Sequence, residues 1–125
     1  MSESNFKKFS RIKQKEYFEI ISKPHFLELD GLVILESHYN PENFEITRKR
    51  LKSRNSPVDL LKAENTINHV HLDVFTKNVP LQMEIGEYLR KVWIDVLNAQ
   101  FPTYEFECKV EHYEEGWELV LWKKR

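Results

Sequence analysis

Two histidines and an aspartate, His69, His71 and Asp73, stand at alternate positions in the run from His69 to Phe75. On an extended strand such residues share one face about 7 Å apart, so two imidazoles and a carboxylate could converge on one cation. Zinc asks for three or four ligands in a near-tetrahedral array, so a further ligand would have to come from elsewhere, with Glu111 and Glu118 as the available carboxylates. Imidazole ligands also need partners that fix their tautomers, and the neighbouring sequence offers none. The simpler reading is a half-exposed strand with solvent-facing polar residues, for which weak zinc binding is expected. No cofactor is implied.

Other reactive residue types carry less. Arg48, Lys49, Arg50, Lys52 and Arg54 form a basic cluster able to meet phosphates or an acidic partner, although such runs are more often solvated faces. Cys108 is the only cysteine, which rules out an intrachain disulfide and fits a reducing compartment. Its place among apolar residues reads as a buried thiol rather than a nucleophile. Ser37 and His38 adjoin Glu36, but neighbours on a strand point to opposite faces, so no triad follows. Gly31, Gly86 and Gly116 are scattered, which excludes a glycine-rich phosphate loop.

The elements that must position these residues follow from periodicity. From Pro80 to Phe101, Leu81, Ile85, Tyr88, Leu89, Val92, Trp93, Val96 and Leu97 recur every three or four positions, which predicts a long amphipathic helix between Pro80 and Pro102. Gly86 within it implies that another backbone packs closely there. A first helix is expected between Ser4 and Pro24, with Phe6, Phe9, Tyr17, Ile20 and Ile21 near one face and Lys13 interrupting it. Leu32 to Tyr39 reads as a strand buried on both faces. Residues 40–51 admit a helix capped at Asn40-Pro41-Glu42 or a strand in which Phe44, Ile46 and Arg48 alternate; the strand is narrowly favoured, because a helix would bury little. Ser56 and Pro57 start a short helix through Lys62 or Ala63, followed by a polar loop to Asn68, and His69 to Phe75 is a central strand with Val70, Leu72 and Val74 facing inward.

Tyr104 to His112 and Trp117 to Lys123 form the clearest hairpin. For Trp117, Leu119 and Leu121 to share the apolar face of Phe106, Cys108 and Val110, His112 must oppose Trp117, leaving Tyr113 to Gly116 as a four-residue loop. The other face then sets Glu111 opposite Glu118, Lys109 opposite Val120 and Glu107 opposite Trp122. The opposed glutamates need hydration or a compensating cation. The predicted fold is one α+β domain over residues 1–125: an antiparallel sheet of four to five strands with helices packed mainly on one face.

Net charge is −1, with 12 basic and 9 acidic groups in residues 1–62 and 7 and 11 in residues 63–125, an asymmetry too small to suggest nucleic acid. The start lacks a signal-peptide core and no apolar run approaches a membrane span, so a soluble cytoplasmic protein is expected, without a membrane partner. The function expected is that of a small noncatalytic interaction or regulatory domain. Its face of Glu107, Lys109, Glu111, Glu118, Val120 and Trp122, or the sheet edge, would bind a protein partner or a second copy. The alternative is a metal- or small-ligand-binding domain, with possible hydrolytic chemistry, using His69, His71 and Asp73 with Glu111 and Glu118.

Overall fold

The structure, a computed structural model, describes residues 13–125. Ser4, Phe6 and Phe9 of the expected first helix lie outside the described residues. Within them the helix α1 runs over residues 13–21, with Ile21 buried and Tyr17 and Phe18 packed on the core. Strands β1 (Phe26–Leu29) and β2 (Leu32–Leu35) form a hairpin, with Leu29 opposite Leu32. The two residues between them, Asp30 and Gly31, have φ values of 51° and 80°, the positive pair that a tight two-residue hairpin turn requires. β1 was not expected from the sequence, although Asp-Gly between apolar runs is its signature. β2 is buried on both faces as expected, but it ends at Leu35, where a 3₁₀ turn, Glu36–His38, takes over.

Residues Pro41–Leu51 form a helix, α2, which corrects the strand favoured above. The Asn40 side chain accepts a hydrogen bond from the Asn43 N–H, and Pro41 occupies the first turn. A strand would have buried Phe44 and Ile46 together; the helix buries Phe44 against Leu32 and Ile34 and leaves Ile46 58% exposed. Helix α3 (Pro57–Asn68) starts at the expected Ser56 cap, where the Ser56 and Asp59 side chains each serve the other's backbone N–H. It continues through the segment expected to be a polar loop. The expected central strand shrinks to the two residues of β3 (Val70–His71), and Leu72–Val74 form a 3₁₀ turn with Val74 exposed.

Helix α4 spans Val79–Gln100, with the Asn78 side chain accepting from the Leu81 N–H. Gly86, Leu89, Trp93 and Leu97 run along its buried line, flanked by Ile85 and Val96. Gly86 is tight because of side chains rather than a backbone: a Cβ there would lie 2.7 Å from Leu72 Cδ1 and 2.8 Å from Val110 Cγ2. Strands β4 (Phe106–Tyr113) and β5 (Gly116–Lys123) pair in the expected register, His112 opposite Trp117, and the ladder extends to Tyr113 opposite Gly116.

The fold is α+β, but its strands divide into a two-stranded sheet, β1-β2, and a three-stranded one ordered β3-β5-β4. Polar side chains of α3 occupy the place where one sheet would have continued into the other. Asn68 accepts from Leu35 N and donates to Val33 O, while Glu64 accepts from Val33 N. On the other side Glu64 accepts from Lys123 N, and Asn65 accepts from Leu121 N. These strand groups thus meet side chains in place of a neighbouring strand. No helix among the described residues is long and apolar enough to cross a membrane.

Candidate functional site

His69 is the C-cap of α3 and has extended backbone. Its Nδ1 lies 2.9 Å from Thr66 O and 3.3 Å from Asn65 O, two carbonyls of the last helical turn. Carbonyls only accept, so Nδ1 carries the proton and, in the neutral ring, Nε2 presents a lone pair. The partner that fixes this tautomer is a helix end, which the sequence did not reveal while residues 63–68 read as a loop.

Two residues on, β3 pairs with β5 so that His71 stands opposite Glu118. His71 Nε2 is 3.0 Å from His69 Nε2, and the two rings meet nearly at right angles. His71 Nδ1 lies 3.7 Å from Glu118 Oε2, and it is a buried atom without a hydrogen-bond partner. One ligand atom from each of His69, His71 and Glu118 falls within 4.8 Å of the others. The far side of His71 is covered by Tyr113, whose ring centroid is 4.7 Å away and whose hydroxyl donates to Asp73. Burial first, and the Asp73 bond next, raise the Tyr113 hydroxyl above its ordinary pKa, so it stays protonated as that donor.

The structure therefore brings His69, His71 and Glu118 together and leaves out two of the sequence candidates. Asp73 does not join them, because the chain turns into a 3₁₀ helix after His71 and carries its carboxylate to Tyr113 and Lys77. Glu111 stands opposite Glu118 as expected, but pairs with Lys109 at 2.9 Å. The two opposed glutamates thus have separate cationic or imidazole partners. Along the rest of the outer face, Glu107 meets Lys124, Lys109 lies over the Trp122 ring, and Val120 is fully buried.

A cavity of about 510 Å³ opens between α2 and the end of α3, with His38 and His69 in its wall beside Phe44, Ile46 and Arg50. His38 Nδ1 donates to Ile67 O at 2.7 Å, and its Nε2 accepts from the Tyr17 hydroxyl. Burial lowers the His38 pKa and pushes the Tyr17 hydroxyl up to about 12, so both are neutral at pH 7. Burial likewise pushes the Cys108 thiol up to about 12, which suits a buried structural cysteine. Comparison with family models, with characterised proteins and with solved structures finds no match for this chain.

Proposed function

We propose that the chain is a divalent-metal-binding domain whose ligands are His69, His71 and Glu118. The observation that carries this reading is the buried, unpartnered His71 Nδ1 facing the Glu118 carboxylate. In the neutral rings the His71 Nε2 proton lies between the two Nε2 atoms, 3.0 Å apart, and leaves His71 Nδ1 and the carboxylate as two acceptors turned towards each other. A metal ion in place of that proton would be held by both Nε2 atoms and would move the His71 N–H to Nδ1, where it can donate towards Glu118. The locked His69 tautomer and the Tyr113 ring packed on His71 hold the imidazoles as metal sites require.

Two imidazoles and a carboxylate suit zinc or a similar borderline ion, with ligand atoms about 3.3 Å apart in a tetrahedral shell. Rotation of the Glu118 carboxylate would close the present spacing. Three protein ligands leave one position for water or a ligand atom. Asp73 is held by Tyr113 and Glu111 by Lys109, so neither stands ready as a general base, which favours binding over hydrolysis.

Calorimetry on the chelator-stripped protein at pH 7 is expected to give one zinc with submicromolar affinity, lost in His69→Ala and in His71→Ala. Glu118→Gln should weaken it by about tenfold or more. Binding no tighter than tens of micromolar, or binding indifferent to both histidine changes, would overturn this reading.

A second reading rests on the open side of β4, an eight-residue strand paired only with β5 among the described residues. A protein partner or a second copy could add there, flanked by Glu107, Lys109, Glu111 and Trp122.

A further inference from the structure

The cavity beside His69 continues into a second one of about 240 Å³, the two sharing Thr47, Arg50 and Thr66 in their walls. Together they form a groove between α2 and α3, with an apolar end at Phe44 and Ile46 and a polar end at Arg50, Arg54 and Lys62. Arg50 is in the last turn of α2, Arg54 lies three residues beyond the end of that helix, and Lys62 is in the second turn of α3.

These three cations are without an ion pair or side-chain hydrogen bond among the described residues. Arg48, on the same helix, is by contrast held by Asp30 at 2.6 Å and by Glu45. Asp59 is the one carboxylate in that wall, and it is bound to Ser56 in the α3 cap, where Arg54 and Lys62 contribute to holding it ionised. Three cations against one carboxylate leave the polar end with a surplus of two positive charges.

We propose that this groove binds a small organic phosphate, its dianionic head on Arg50, Arg54 and Lys62 and its apolar body against Phe44 and Ile46. The combined volume is in the range of small-molecule sites, and guanidinium forks match phosphate oxygens in both charge and geometry. A lone carboxylate would neutralise half of the surplus charge. The inference goes beyond the metal reading and does not depend on it, because the cations are a separate set of residues from the metal ligands.

The test is calorimetric titration of chelator-stripped protein with phenyl phosphate, inorganic phosphate, phenol and adenosine monophosphate in parallel. Phenyl phosphate should bind with a submillimolar Kd, inorganic phosphate about tenfold more weakly, and phenol not measurably. Arg50→Ala should weaken phenyl phosphate at least tenfold, equivalent to about 1.4 kcal/mol, by loss of a charged hydrogen-bond pair. Ile46 is exposed, so Ile46→Asp should keep the fold, checked by circular dichroism, while its carboxylate expels the ligand. Adenosine monophosphate binding more tightly than phenyl phosphate would assign a nucleoside body, and the reverse order a smaller one; either supports the site. No binding of any organic phosphate, or equal binding by wild type and Arg50→Ala, would overturn it.

Discussion

His38 shows how one buried imidazole sets a pH limit. Tyr17 from α1 donates to it, Ile67 O from α3 accepts from it, and His69 faces it from the α3 cap. Burial, the largest cause, depresses its folded pKa below that of the unfolded chain, about 6.5, with His69 adding to the effect and the Ile67 bond opposing it. Between the two values the unfolded state binds more protons, so His38 contributes stability that is complete above about pH 6.5 and is lost as pH falls through the folded value. Urea denaturation of wild type and His38→Gln from pH 5 to 7.5 should show the stability gap narrowing towards low pH. A gap that stays constant or widens on acidification would mean that His38 is not held neutral.

At the scale of elements, the crossing of α4 over the sheet depends on Gly86. Alanine would gain up to about 1 kcal/mol in helix propensity, yet its Cβ would collide with Leu72 and Val110, and overpacking of a filled core costs about 1–3 kcal/mol. Gly86→Ala should therefore lower stability by up to about 2 kcal/mol in chemical denaturation, and a more stable variant would contradict this packing. The long helix, the β4-β5 register and the Ser56 cap were legible because apolar spacing and capping chemistry act locally. Helix α3 beyond Ala63 was not, since Glu64 and Asn68 are buried polar residues whose partners are strand groups 31 to 59 positions away in sequence. Periodicity equates polar with exposed, and here that equation fails. The same failure hid the tautomer-fixing partner of His69, because a helix C-terminus cannot be recognised inside an assumed loop. Asp73 was misplaced for a related reason: alternation persisted in the sequence while the backbone left the strand.

For the whole molecule, Glu64 ties the two sheets and the chain's end together. Fully buried, it accepts from β2 and β5 and forms a forked pair with Arg125, whose guanidinium also reaches Gly31 O in the β1-β2 turn. A buried pair of this kind adds little over a well-packed apolar replacement, but removing one partner strands the other charge at a cost of about 3–5 kcal/mol. Association would use the surface this frame leaves open, the side of β4 near Trp122. Under the interaction reading, light scattering should find a dimer that Trp122→Glu converts to a folded monomer; a wild type monomeric at high concentration would confine that reading to a different partner protein. A metal centre of His69, His71 and Glu118 would show in X-ray absorption on protein loaded with one equivalent of zinc. The expected spectrum has a first shell of nitrogen and oxygen at about 2.0–2.1 Å with the scattering pattern of two imidazoles. A sulfur neighbour at about 2.3 Å, or fewer than two imidazoles, would place the ion elsewhere and contradict it.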